Sequence, residues 1–383
     1  MRDSIHILHV FSTFGLGGPQ LRVANIINSL GPAFRHTILP MDRNSDAACR
    51  IAPGACVHFI MPPERDAGRP HAMALHNTIR NIHPDLLVGY NWGAMDAVLA
   101  AVVGRLCPVI QHEHGFGIDE AHSLKFRRVL ARRILLKAAH CTIVPSKVLY
   151  DIAITRYRLA AEKVRLIPNG VDTKRFRPGH NPELRGQLGT GGLLFGYVGQ
   201  LRPEKNLGLL IRAFALANIE DARLVLVGDG PCRPELEHAA RELGVLGKVI
   251  FTGKVQDPLP YLGALDVFVM SSVSEQMPMS LLEAMACGLP ALCTDVGDIR
   301  EMLGEPGAPV AVPPENPGVY ADAMRLLAHN FETRAALGAG NRERCIARYS
   351  LERMVRCYED EYYAALGLSR AHVSRQRTLH ESA

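Results

Sequence analysis

Short runs of apolar, largely β-branched residues recur along the chain. A first set lies at 5–10, 36–40, 56–60, 85–90, 107–111, 141–145 and 163–168, and a second at 193–199, 222–228, 248–252, 266–270 and 290–294. Within each run the apolar positions are continuous rather than alternating, as in a strand covered on both faces. Longer stretches of helical pattern separate the runs. Strand, helix, strand, repeated in this way, predicts doubly wound parallel α/β sheets. The two sets are divided by 173–192, rich in Pro, Gly, Arg and Asn and without apolar periodicity, which reads as a linker. Three parts are therefore expected: a Rossmann-like domain over 1–175, a second over 176–350, and a C-terminal segment over 351–383. In that segment Leu351, Met354, Val355, Tyr358 and Tyr362 form the apolar face of a helix expected to pack back toward the first domain. Beyond about 369 the chain is polar and reads as a disordered tail. Two such sheets joined by one linker imply a cleft lined by the C-terminal ends of strands, where open α/β sheets bind ligands.

Composition narrows the class without naming a chemistry. The 383 residues suit two domains, and 48% hydrophobic with 21% charged residues is the mixture of a globular protein with real cores. A formal charge of +5 is too small to argue for nucleic acid, and no nucleic-acid partner is expected; it is compatible with anionic substrates or lipid headgroups. The nine cysteines are scattered singly with no CxxC spacing, and Cys141 and Cys293 fall inside strand runs. They read as reduced core thiols of a cytoplasmic protein. The chain enters its first strand at once, with no basic-plus-apolar leader expected, and no apolar run approaches the ~18 residues that cross a bilayer. Peripheral contact with the inner face of the plasma membrane stays open.

The chemistry concentrates in 266–300. A strand ends at Met270, a loop carries Glu275, and Pro278 is placed to open a helix that runs to about Cys287, where Gly288-Leu289-Pro290 stops it. Free N–H groups and the positive dipole end at such a helix start suit a diphosphate, and Met277, Pro278, Met279 and Ser280 are the donor-binding candidates of this stretch. Glu283, further along the helix, could accept from both hydroxyls of a ribose diol, with Glu275 facing the sugar. Taken alone, two glutamates near a helix start are more commonly just solvated.

The whole segment resembles the donor-site signature of the retaining glycosyltransferases of the GT-B fold, family four (glycosyl transferases group 1). That signature is E-x7-E followed by A-M-A-x-G-x-P, matched by Glu275, Glu283 and the run Ala284 to Pro290. The resemblance implies two Rossmann-like domains facing each other across a cleft, and it extends over nearly the whole chain. Gly15, Gly17 and Gly18 resemble the family's Gly-rich loop near the sugar and acceptor, with Gln20 where many members carry Glu; an ordinary βα turn with glycine at positive φ is the competing reading. In Gln111-His112-Glu113-His114-Gly115, His114 is the better match to the histidine near the transferred sugar, with His112 as the alternative. Asn169-Gly170-Val171-Asp172 reads as hinge structure. Lys205 falls on the lysine of the family's phosphate clamp, whereas Gln200 occupies its usual arginine position; Arg202, in the same loop, is the candidate replacement. Lys254 and Val255 match a turn near the nucleobase.

What the resemblance implies is transfer of a hexose from a nucleotide-diphosphate-sugar to a glycan or lipid-linked acceptor, with retained anomeric configuration, in cell-surface polysaccharide synthesis. Tyr90-Asn91-Trp92-Gly93 and Glu113-His114-Gly115 resemble the bacterial exopolysaccharide or lipid-linked glycan assembly type. Charge on the departing phosphate would be met by Lys205, Arg202 and the amides after Glu275. No Asp-x-Asp triplet or cluster of metal ligands is seen, so neither metal nor other cofactor is expected. A nucleotide-sugar epimerase of the same architecture and an inactive sugar-nucleotide-binding module remain alternatives. Finally, 123–137 holds six cations in fifteen residues and suggests a helix near anionic lipid. A helical wheel does not separate its faces cleanly, which leaves an ordinary packed helix with solvated arginines equally open.

Overall fold

Parallel strands cannot be joined by tight turns, so a chain that alternates strands with helices must wind each helix across a face of the sheet. The computed structural model, which describes residues 4–64, 71–115, 125–189, 191–304 and 310–369, does this twice. The polar tail beyond 369 and residues 123 and 124 of the basic segment lie outside the described residues. One unit comprises 1–169 together with 352–383, and the other 170–351. The stretch 173–192, expected as a linker, contains the short helix Pro182–Gln187.

In the first unit β1 (Ile5–Phe11), β2 (Phe34–Pro40), β3 (Val57–Phe59), β4 (Leu86–Tyr90), β5 (Val109–His112), β6 (Cys141–Val144) and β7 (Val164–Leu166) pair in the order β3-β2-β1-β4-β5-β6-β7, all parallel. In the second, β8 (Leu194–Val198), β9 (Arg223–Val227), β10 (Val249–Gly253), β11 (Val267–Met270), β12 (Ala291–Thr294) and β13 (Ala311–Val312) follow the order β10-β9-β8-β11-β12-β13, again parallel. Each order reverses direction once, at β1/β4 and at β8/β11. Loops leaving the C-terminal ends of neighbouring strands diverge at such a switch point and leave room for a ligand. Only β13, two residues long, had no counterpart among the apolar runs, because so short a strand has no pattern to show. All nine cysteines are free thiols, but Cys49 and Cys56 are exposed, so these two correct the expectation of core positions; neither lies in a strand or a long helix.

The first sheet buries an unusual number of histidines. His9, on β1, bonds Tyr90 Oη through Nδ1 (2.9 Å) and His36 Nδ1 through Nε2 (3.0 Å), while His6 Nε2 meets Thr37 Oγ1 at 2.8 Å. The helix Leu351–Ala365 covers this end of the sheet: Tyr358 packs on His112 with the rings tilted by 30°, and Tyr362 and Tyr363 pack against Phe34. Burial, with His6 nearby, holds the His36 ring down at about 4, and His9 is lowered by burial and by His36. An unfolded chain takes up these protons near pH 6.5, so the unfolded state binds more protons from there down to about pH 4, and stability falls as pH drops through that window. For His36 alone the loss is about 2 kcal/mol by pH 5. Urea unfolding midpoints are expected to fall accordingly from pH 7.5 to pH 5, above the range of ordinary carboxylates. A flat profile would mean that these rings are not held neutral.

Candidate active site

In the second unit the loops after β8 and β11 are stitched together at the switch point. Ser271 Oγ donates to the Lys205 carbonyl (2.9 Å), Val273 N to the Glu204 carbonyl (3.0 Å), and Thr294 Oγ1 to the Ser272 carbonyl. Tyr320, fully buried, donates its hydroxyl to the Leu292 carbonyl (2.7 Å) and fixes the ends of β11 and β12. The consequence is an ion pair of Lys205 Nζ with Glu275 Oε1, whose oxygen also accepts from Ser272 Oγ at 2.9 Å. Both side chains keep some exposure, 23% for Lys205 and 11% for Glu275. An ammonium has three N–H donors, so Lys205 paired to one carboxylate oxygen retains donors for a phosphate.

Gly297 lets this site close. Its φ of +58° is left-handed, and a Cβ there would collide with the Glu275 carbonyl, while Asp298 N bonds the Gln276 carbonyl at 3.2 Å. Gly297→Ala is expected to cost at least roughly 1–2 kcal/mol from the left-handed backbone alone, and to lower turnover by displacing Glu275. Thermal melting and kcat measured together check this; an alanine variant with unchanged kcat would mean that Glu275 tolerates the shift.

The helix Met279–Ala286 follows Glu275. Pro278 is its N-cap, with ψ 129° in the extended region, rather than its first helical residue; the extended ψ keeps it just outside the helix. No acidic side chain occupies the first turn and none caps it, so the leading N–H groups keep their positive end. The helix ends in a Schellman motif: Leu289 N bonds the Ala284 carbonyl (3.1 Å), Gly288 N bonds the Met285 carbonyl (2.9 Å), and Gly288 takes φ +74°. Leu281, Leu282, Ala284 and Met285 are fully buried and anchor the helix; truncating a buried leucine typically costs about 2–5 kcal/mol. Met277 and Pro278 are also buried, which keeps the Met277 side chain packed against the core. Met279 and Ser280 are half-buried.

Glu283 is half-buried, and burial pushes its carboxyl up to about 7, with Arg175 pulling down and Asp257 pushing up. Arg175 and Asp257 are themselves an ion pair at 2.8 Å. The structure thus gives Glu283 charged neighbours other than Glu275, from segments whose sequence carried no signal beyond closeness to the Lys254-Val255 turn. Val255 packs partly against the core and Lys254 is exposed. Gln200 and Arg202 are exposed as well; the Gln200 carbonyl accepts from Tyr197 Oη at 3.0 Å.

In the first unit the loop after β1 folds on itself: Gln20 Nε2 donates to the Thr13 carbonyl (2.9 Å) and Gly15 N to Thr13 Oγ1 (3.2 Å). None of Gly15, Gly17 and Gly18 has a positive φ, so the loop is not the left-handed turn that the competing reading required; Gly17, at φ −161°, is the N-cap of the helix Gly18–Leu30. His114 lies just past β5, its N–H held by Asn91 Oδ1 at 2.7 Å, and its ring edge meets the Arg22 guanidinium. Arg22 is buried, lies on the helix Gly18–Leu30, and also donates to Asn169 Oδ1 at 2.5 Å. Burial, then Arg22, then His112, lowers His114 well below the usual histidine value, so the ring is neutral. His112 is fully buried against Tyr90 and Tyr358, whereas His114 is half-buried and remains reachable. Arg22 and Asn91 escaped the sequence reading, although Asn91 sits in the singled-out Tyr90–Gly93 run. Elsewhere in this unit His140, Cys141 and Glu361 bring three potential ligand atoms within 4.8 Å of one another. Glu361 is already committed to Arg165 Nε (2.8 Å), and Cys141 donates to it, so this cluster balances its own charge.

Two doubly wound Rossmann-like units make up the GT-B fold. Residues 16–175 match the family described as Glycosyltransferase Family 4 and residues 192–330 that described as Glycosyl transferases group 1; the chain belongs to this glycosyltransferase family. It is 34% identical over 220 residues to the sulfoquinovosyl transferase SQD2 of Arabidopsis thaliana, covering 55% of this chain and 42% of that protein. Over 216 residues it is 30% identical to the UDP-Gal:alpha-D-GlcNAc-diphosphoundecaprenol alpha-1,3-galactosyltransferase of Escherichia coli, covering 53% and 55%. The chain thus spans about half the length of these relatives. The crystal structure of Anabaena HepE in complex with UDP-glucose superposes with a TM-score of 0.76 at 20% identity, over 92% of this chain and 98% of that one, a likeness of fold.

Proposed function

We propose that the protein moves a hexose from a nucleotide-diphosphate-sugar to a glycan or lipid-linked acceptor, with the anomeric configuration retained. The observation that carries this reading is the Lys205–Glu275 pair beside the uncapped start of the helix Met279–Ala286. It offers a cation and free amides for a diphosphate, and a carboxylate for the sugar. Support also comes from the relative named for a UDP-galactose donor and a diphosphoundecaprenol acceptor, and from the neighbour crystallised with UDP-glucose.

In this mechanism the acceptor hydroxyl attacks the anomeric carbon on the face from which the nucleotide diphosphate departs. The C–O bond to the phosphate breaks as the new glycosidic bond forms, and the leaving phosphate oxygen takes the acceptor's proton. Lys205 and the helix amides stabilise the negative charge on that phosphate. Neutral His114 hydrogen-bonds the sugar or acceptor and has no need to exchange a proton. Charge balance at the diphosphate rests on protein donors, so turnover is expected to persist in a chelator.

The test is a panel of UDP-, GDP- and ADP-sugars scored for donor hydrolysis and transfer in EDTA, with the product's anomeric configuration read by NMR. An inverted product overturns the mechanism. Activity abolished by EDTA and restored by Mg²⁺ or Mn²⁺ overturns the metal independence. Epimerised donor with no nucleotide release would move the reading to an epimerase.

A further inference from the structure

Among the described residues Arg22 is a buried cation without an anion. It is 3% exposed on the helix Gly18–Leu30, and no described carboxylate pairs with it. Its Nη1 donates to Asn169 Oδ1 at 2.5 Å, its Nη2 meets the His114 ring edge that carries Nδ1 and Nε2, and its Nε has no partner. The other groups whose ionisation it influences are the neutral rings of Tyr90, His112, Tyr358 and Tyr362. Glu113, next to His114 in the chain, is paired with Arg132 at 3.2 Å. Taking a guanidinium out of water without a counter-charge is strongly unfavourable. Packing alone gives no reason to keep a charge there; the contact with His114 does.

The chemistry of that contact fixes the state of the ring. A guanidinium has N–H donors and no lone pair to accept with, so the His114 nitrogen it bonds must be the one that accepts. A neutral imidazole has one accepting and one donating nitrogen, and the hydrogen bond made by one decides the state of the other. His114 is neutral because burial, then the charge of Arg22, then His112 oppose its protonation. With its lone pair taken, the ring can offer a substrate only its N–H. The main chain is fixed as well: the His114 amide donates to Asn91 Oδ1 at 2.7 Å, and Asn91 sits at φ +54°, ψ −165°. That backbone setting is close to one that glycine alone visits readily, and such strain persists only where the surroundings over-determine it. Tyr90 and His112, with ring centroids 5.9 and 5.3 Å from that of His114, complete the surround and bring no charge. We propose that Arg22 is a positioning residue: it locks half-buried His114 in one tautomer, so that the ring serves the transfer as a hydrogen-bond donor to a substrate oxygen and never as a base. This deepens the proposed transfer reaction and rests on it for the substrate, whereas the state of the ring can be measured without turnover.

The experiment reads the imidazole nitrogens by nitrogen-15 NMR in the full chain labelled on histidine, with the His114 signals identified by their loss in His114→Gln. Melting temperature and transfer from the donor panel are measured beside it. The parent is expected to show one donating and one accepting nitrogen for His114, unchanged from pH 5.5 to pH 8. Arg22→Met keeps a long unbranched side chain and removes the charge with all its donors. It should melt no lower than the parent, blend the two tautomers of His114, and lower kcat/KM roughly three- to tenfold, the worth of one neutral hydrogen bond. Arg22→Lys keeps a cation with N–H donors, and should return the single tautomer and most of the turnover. A parent ring that shows both tautomers, or carries two protons at pH 7, overturns the proposal whatever the variants do. An Arg22→Met protein with the parent's single tautomer overturns it too, and leaves the reaction standing if the parent transfers sugar. A parent that transfers from no donor, while Arg22→Met still blends the tautomers, keeps the positioning and overturns the reaction.

Discussion

Replacing Lys205 with alanine is expected to lower kcat/KM by roughly 100- to 1000-fold, the usual loss when a preorganised donor to developing charge is removed. The argument starts from the β8/β11 switch point, where the hydrogen bonds of Ser271 and Val273 fix the Lys205 loop against the Glu275 loop. Holding the ammonium there before substrate arrives avoids the cost of ordering it during the reaction. Arg202, expected from sequence as a second clamp cation in place of the arginine missing at Gln200, is exposed on the same loop. An exposed charge is screened by water and salt, so Arg202→Ala should stay within roughly tenfold of the parent. Both singles and the double variant decide the matter. Losses that multiply independently fit Lys205 acting as the principal cation. Equal, non-additive losses would mean that the two act as one unit on the same leaving group.

Glu283→Ala is expected to weaken donor binding roughly ten- to a hundredfold, because a hydrogen bond to a charged acceptor is worth about 1.5–3 kcal/mol. The pH dependence is the sharper test. With the free carboxyl near 7, only the ionised form accepts from both hydroxyls of a diol, so donor affinity should rise with pH through about 7. It should be roughly tenfold weaker at pH 6 than at pH 8. Glu283→Gln removes the titrating group and should flatten the profile while leaving the fold intact. Calorimetry at both pH values measures it; a parent profile as flat as that of the glutamine variant would take Glu283 away from the diol. The same raised carboxyl means that ionisation works against folding between the ordinary glutamate value and about 7, a strain the helix Met279–Ala286 absorbs through its buried leucines and methionine.

Local physics accounts for what could be read ahead of the structure. Continuous apolar runs became strands because helices cover both faces of a parallel sheet, and only two-residue β13 was too short to announce itself. Gly288-Leu289-Pro290 foretold the helix end, since a left-handed C-terminal residue is nearly a property of glycine alone. Glu275, Glu283 and Lys205 could be picked out because their spacing and setting matched a known signature. The match gave no partners. That Lys205 pairs with Glu275 follows from β8 and β11 being neighbours in a sheet whose order is not the order of the chain.

Sequence by itself determined the alternation of strands and helices, the division into two sheets and the residue types available for binding a sugar nucleotide. These depend on periodicity and on caps, which act over a few residues. Tertiary structure alone decided which side of a helix faces in. On the Phe126–Ala138 helix the wheel was ambiguous because arginines and apolar residues interleave, and it expected any arginines of a packed helix to be solvated. Glu113, Trp92 and Tyr157, distant in sequence, supply the partners that bury Arg132, and Phe126, Leu130 and Ile134 of the same helix are exposed. In the same way Arg22 finds His114, ninety-two residues away, and Arg175 with Asp257 surrounds Glu283. Burial of a charge is governed by the partners that pay for its desolvation, and those partners are brought together only by the fold.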